Sequence, residues 1–170
     1  MLRTQARRAA AFAALVLLPL ASAFAQPASY PFELEGQVVS VTDGDTIKLL
    51  LDKKQYRIRL NGIDAPEMGQ AYGRKSKDYL SSLVAGKRAK VIVRDTDRYG
   101  RYVGDVLVEG KSANAELVAV GLAWHYVQYS KDERLAELEK AARAGKLGLW
   151  ADPNPIPPWE FRRLKREGAR

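Results

Sequence analysis

The chain has 170 residues, 46% of them apolar, with 28 Lys or Arg against 20 Asp or Glu and a formal charge of +8. It contains no cysteine and a single histidine, His125. That composition supports one domain with a real core, and it excludes disulfides, cysteine nucleophiles, cysteine zinc sites and histidine-rich metal clusters. Chemistry here has to run on carboxylates, Arg or Lys, with a hard cation as an option.

The first 25 residues read as a secretory signal peptide. Arg3, Arg7 and Arg8 precede the apolar run 9–21, and Ala23 and Ala25 give a small-x-small cleavage pattern. The run of thirteen residues is shorter than the ~18 expected of a membrane span, so an uncleaved anchor is the lesser alternative. The expectation is an exported protein, periplasmic or extracellular, with no membrane attachment once the signal is gone. Removing the signal leaves 170 − 25 = 145 residues and 28 − 3 = 25 basic against 20 acidic side chains, about +5. Part of the charge is therefore targeting charge. Residues 26–34 read as an N-terminal extension, 35–152 as the folded domain and 153–170 as a Pro-rich, basic C-terminal tail.

Five strand-like runs follow: 36–41, 46–51, 55–60, 89–94 and 102–109. Within the third, alternation sends Tyr56, Ile58 and Leu60 to the core and Arg57, Arg59 and Asn61 outward. Three helices are expected. The stretch 76–86 places Tyr79, Leu80, Leu83 and Val84 on one face before Gly86, and 114–121 starts at a candidate Asn114 cap. In 130–145, Ser130 and Glu133 have capping-box spacing, and Gly145 ends the pattern. The prolines of 151–163 predict an extended wrap, and the basic end predicts a solvated tail, with a polyanion contact as the alternative. These elements suggest an α+β protein built on a five-stranded β-barrel of the OB-fold type, with about three α-helices.

Two acidic clusters need explaining. "TDGDT" (42–46) sets Asp43 and Asp45 around a glycine at the start of a strand, and "RLNGIDAPE" (59–67) brings Asp64 and Glu67 after another. Each cluster alone has a turn explanation, as does "DRYGR" (97–101). Together with Arg59 and Arg101 they are the ingredients of a phosphate-cleaving site. Carboxylate oxygens ligate hard cations such as Ca²⁺ or Mg²⁺. The guanidinium fork matches two phosphate oxygens, and a carboxylate can take a proton from water. His125, among aromatic neighbours, reads as a packing residue.

The order of "TDGDT", "RLNGIDAPE", "DRYGR", "LVAVGLAW" (117–124) and "GLW" (148–150) resembles the thermonuclease, or staphylococcal nuclease homologue, family over roughly residues 35–152. The resemblance implies an OB-fold barrel and a secreted Ca²⁺-dependent, sugar-nonspecific endonuclease that hydrolyses DNA and RNA to 3′-phosphate ends. It implies Asp45, Asp64 and the backbone carbonyl of Ala65 as calcium ligands, with Asp43 beside the ion. Arg59 and Arg101 match the phosphate-binding catalytic arginines and Glu67 the general base. Tyr99 and Tyr129 match tyrosines that pack on the bound nucleotide, with Tyr126 competing with Tyr129 for that role. The segment after Glu67 is shorter than the mobile loop of the family's best-known secreted member, and the leaving-group acid is unassigned. The expected partner is nucleic acid, bound by a monomer. The rival reading is a noncatalytic OB-fold nucleic-acid-binding module, which needs none of Asp45, Asp64 and Glu67.

Overall fold

Alternating apolar residues build the barrel. The computed structural model describes residues 29–168; the segment read as a signal peptide lies outside them. Strand β1 (Phe32–Val41) pairs antiparallel with β2 (Thr46–Leu51) and with β5 (Arg88–Thr96). Strand β2 pairs with β3 (Lys54–Leu60), and β5 with β6 (Tyr102–Val108). Parallel pairing of Ile58–Leu60 with Tyr102–Gly104 joins β3 to β6 and closes the sheet on itself. Bulges between Val38 and Ser40 and between Val93 and Asp95 add the local bend that closure demands. The inward set Val38, Ile47, Leu49, Ile58, Leu60, Val91, Val93 and Val106 is essentially inaccessible to solvent. Burying each such side chain stabilises by about 1.5–3 kcal/mol.

Among the described residues, three short strands and four helices complete the fold. Strand β4 (Ile63–Asp64) pairs with β8 (Trp124–His125), and β7 (Lys111–Ser112) pairs antiparallel with the end of β6. Helix α1 (Gly73–Val84) and α2 (Ala113–Ala119) cover the barrel through Leu80, Val84, Leu117 and Val118. Helix α3 (Glu133–Ala144) packs on α2, and a 3₁₀ turn (Gly148–Ala151) leads toward α4 (Pro158–Gly168). No helix among the described residues is long and apolar enough to cross a membrane.

The α+β barrel is as expected, and four details differ. Strand β1 begins at Phe32, so part of the supposed extension is already in the sheet. Ser112, not Asn114, caps α2, accepting from the Ala115 amide; Asn114 is buried and ties Val106, Gly104 and the Asn61 carbonyl together. Asp132, not Ser130, caps α3, because Ser130 is engaged with His125. The largest difference is the tail, where Pro158–Gly168 is a helix docked on the protein. Pro158 stands at its start, where a missing N–H costs nothing, Glu160 sits in the first turn, and Lys165 and Arg166 lie in the last. Arg163 bonds Glu160 one turn back and Glu167 one turn on.

Candidate active site

Sheet register brings the charged residues together. Thr46 stands opposite Arg59, and beyond the end of β2 the Leu60 amide still donates to the Asp45 carbonyl at 2.8 Å. Asp45 and Arg59 are thereby neighbours, and Arg59 Nη1 donates to Asp45 Oδ1 at 2.5 Å. Its Nη2 donates to Asp64 Oδ1 at 2.8 Å. Asp64 cannot swing away, because β4 holds it against Trp124 and its side chain is fully buried. The other oxygen of Asp45 accepts from the Ala65 amide at 3.0 Å. Burial opposes the charge on Arg59, but Asp45 and Asp64 outweigh it and raise the guanidinium above its ordinary range.

The Asp-Gly-Asp turn is forced by packing as well as by charge. A Cβ on Gly44 would lie 2.6 Å from Ser76 Cβ and 2.7 Å from Ala65 Cβ, so only glycine lets α1 and the Ala65 segment close on the turn. Asp43 then accepts from the Asp45 amide at 3.1 Å. Burial, with the neighbouring charge of Asp45, pushes the Asp43 carboxyl up to about 6. Asp43 and Asp64 thus each lie beside Asp45, and the side chains offer oxygen donors only. That donor set suits Ca²⁺ or Mg²⁺ better than zinc. Asp45 and Asp64 would hold such an ion, together with the Ala65 carbonyl that the family resemblance adds. Among the described residues no group of three or more acids is arranged to hold a metal ion by itself.

The β5–β6 hairpin supplies the second arginine. Asp97 accepts from the Tyr99 and Arg101 amides at 2.9 Å each and from Arg101 Nε at 2.7 Å. Burial works against the Asp97 charge, but these bonds hold its carboxyl below the ordinary range. Arg101 is thereby aimed at Thr46, with Nη1 3.4 Å from its hydroxyl, next to Asp45. The parallel closure of β6 on β3 is what puts this hairpin beside Arg59.

A single cleft of about 830 Å³ is lined by Asp43, Asp45, Arg59, Ala65, Glu67, Arg101 and both tyrosine candidates, with Asp64 reached through its arginines. Tyr99 and Tyr129 are strongly exposed at its rim, whereas Tyr126 has one ring face stacked on Trp159. Apart from Asp64, which is buried behind Arg59 and Arg162, the residues that the sequence nominates line one cleft. Residues that it did not nominate join them, among them two arginines from the tail. Arg162 and Arg166 of α4 line the same cleft. Arg162 forks both oxygens of Asp64, at 3.2 and 2.8 Å, and bonds Glu67 Oε1 at 2.7 Å. Proline at the helix start and the Glu160–Arg163–Glu167 spacing were the sequence signals of that helix.

Residues 57–152, more than half of the chain, match the family described as staphylococcal nuclease homologue. An "Uncharacterized endonuclease" of Escherichia coli O157:H7 is 48% identical over 134 residues, covering 78% of this chain and 88% of that protein. The "Micrococcal nuclease" of Shigella flexneri is 39% identical, with 81% and 85% covered. "Staphylococcal-like nuclease CAN1" of Arabidopsis thaliana is 50% identical over 115 residues, 68% of this chain and 36% of that longer protein. The chain therefore belongs to the staphylococcal nuclease homologue family, a family of phosphodiester-cleaving hydrolases.

Proposed function

We propose that the protein is an exported, Ca²⁺-dependent, sugar-nonspecific endonuclease that cleaves DNA and RNA to 3′-phosphate ends. The observation that carries this reading is the convergence of Arg59 on both Asp45 and Asp64, in a cleft that also holds Glu67 and Arg101. A site built only to bind a polyanion gains nothing from buried acids, which repel phosphate; acids beside arginines suit a cation and a phosphate together. The cation, when bound, supplies positive charge next to the scissile phosphate and water for the attack.

The chain's own residues do the rest. Glu67 accepts a proton from the attacking water, whose oxygen bonds to phosphorus. Arg59 and Arg101 donate to the non-bridging oxygens, where charge grows in the transition state. The bond from phosphorus to the 5′-oxygen breaks, the phosphate stays on the 3′ side, and the 5′-oxygen takes a proton from solvent. Tyr99 and Tyr129, being exposed at the rim, offer faces on which bases stack. One chain supplies every group named, which supports action as a monomer, and the N-terminal signal pattern supports export to the periplasm or medium.

The test is digestion of single-stranded DNA by the purified mature protein with Ca²⁺, with Mg²⁺ and with chelator, reading end chemistry as well as cleavage. Calcium-dependent cutting to 3′-phosphates is expected. Binding without cutting under any ion would replace this reading with a noncatalytic nucleic-acid-binding module.

A further inference from the structure

Helix α4 forms a wall of the cleft that the family match does not reach: the match ends at residue 152 and the helix begins at Pro158. Its position is fixed by packing. Trp159 lies flat on Tyr126, with ring centroids 5.2 Å apart and planes within 1°, and it meets Trp124 edge-on at 5.5 Å. Pro158 is buried, and just before it Gln70 Nε2 donates to the Ile156 carbonyl at 2.6 Å. The helix then carries Arg162, one turn beyond Trp159, into the acid cluster.

What Arg162 does there follows from the needs of Glu67. The Glu67 side chain is 42% exposed, and the salt bridge to Arg162 is what ties its carboxylate to the rest of the site. Its backbone is well fixed, since the Gln70 amide donates to the Glu67 carbonyl and Gly73 packs closely on that same carbonyl. The side chain beyond it has three rotatable bonds and would otherwise sample many directions. Arg162 Nη1 bonds Glu67 Oε1 and Asp64 Oδ1 together, so one guanidinium holds the candidate base at the edge of the candidate metal ligand.

We propose that Arg162 is a positioning residue of the nuclease site, and that α4 exists to hold Glu67 through it. This rests on the nuclease reading above. The test is a kinetic cycle on the full chain with Ca²⁺ and a single-stranded oligonucleotide, using Arg162→Ala, Arg162→Lys, Glu67→Gln and their combinations. Arg162→Ala is expected to lower kcat by about 10- to 100-fold, the usual cost of losing an orienting partner, with KM within about threefold. Arg162→Lys recovers part of the loss. In the Glu67→Gln background Arg162→Ala costs much less than in the wild type, because the part that acts through Glu67 is gone and only its hold on Asp64 remains.

Several outcomes overturn the proposal. A loss confined to KM makes Arg162 a phosphate contact. A rise in kcat makes α4 a strap over the site. Full multiplication of the two losses makes the effects independent. If Arg162→Ala does not fold, Arg162→Gln enters the cycle in its place, read by the same criteria. A wild-type protein that cuts nothing overturns the nuclease reading and this one with it; an active wild type with indifferent Arg162 variants overturns this one alone.

Discussion

Arg59 and Arg162 donate to the same atom, Oδ1 of Asp64, at 2.8 and 3.2 Å, yet they reach it from walls built in different ways. Arg59 sits on a central barrel strand, hydrogen-bonded to β2 on one side and β6 on the other, so its backbone moves only if the barrel opens. Arg162 sits on a helix held by aromatic stacking and one side-chain bond to backbone, on a surface where Arg162 itself keeps a third of its side chain exposed. The barrel wall is cooperative with the whole fold. The helical wall can be lost locally, since regions with few buried contacts open at a fraction of the global free energy.

The largest effect should come from the barrel wall. Arg59→Lys keeps the charge and loses the fork that spans Asp45 and Asp64, and turnover should fall by about a hundredfold or more. Near-normal turnover in steady-state assays would remove Arg59 from the catalytic set. Asp64→Ala should abolish cutting and also destabilise by about 1.5–3 kcal/mol, because Arg59 and Arg162 each lose one of their two carboxylate partners. Denaturant titration checks this, and an unchanged calcium titration would sink the metal assignment.

On the helical wall the expected cost is smaller and local. Trp159→Ala removes two aromatic contacts and should cost about 2 kcal/mol, with limited proteolysis rising between residues 152 and 158 while the barrel stays protected. Barrel amides exchanging as fast as α4 amides in that variant would mean the two walls unfold as one.

The two aspartate turns give a finer contrast in pH. For Asp43 the folded value of about 6 lies above the ordinary 3.8, so its contribution is full below pH 3.8 and is lost as pH rises through 6. For Asp97 the folded value is depressed, so its contribution is present above the ordinary value and is lost on acidification. Asp43→Asn in metal-free protein should therefore flatten the fall in stability between about pH 4 and 6. A stability curve of unchanged slope there would show that Asp43 is not the group responsible. The smallest effect belongs to Arg163→Ala. Its pairs with Glu160 and Glu167 lie on the solvent side of α4, and melting temperature and activity should not move measurably.

Most of the barrel wall was legible in the sequence. Period-two alternation in "QYRIRL" tells which way Arg59 points, and the paired acids before strands and after them announce a charged site. A barrel was expected, but which strands meet to close it, β3 with β6, was not legible, because that pairing depends on sheet curvature that no local pattern encodes. The helical wall was obscured by its own prolines. In "NPIPPWEFRR" they speak for an extended chain until the last of them is recognised as the first residue of a helix. Caps were misassigned where a polar side chain had a tertiary partner: Asn114 is drawn into the barrel and Ser130 to His125.

The distance in sequence between Asp64 and Arg162, 98 residues, also sets an order in time. A ribosome adding about 5–20 residues per second needs roughly 5 to 20 s to travel from one to the other. The acids and Arg59 emerge first, the β6 strand that closes the barrel emerges later, and the guanidinium that ties Glu67 down emerges last. The barrel's share of the cleft is therefore complete in the chain before any residue of the helical wall has been joined to it.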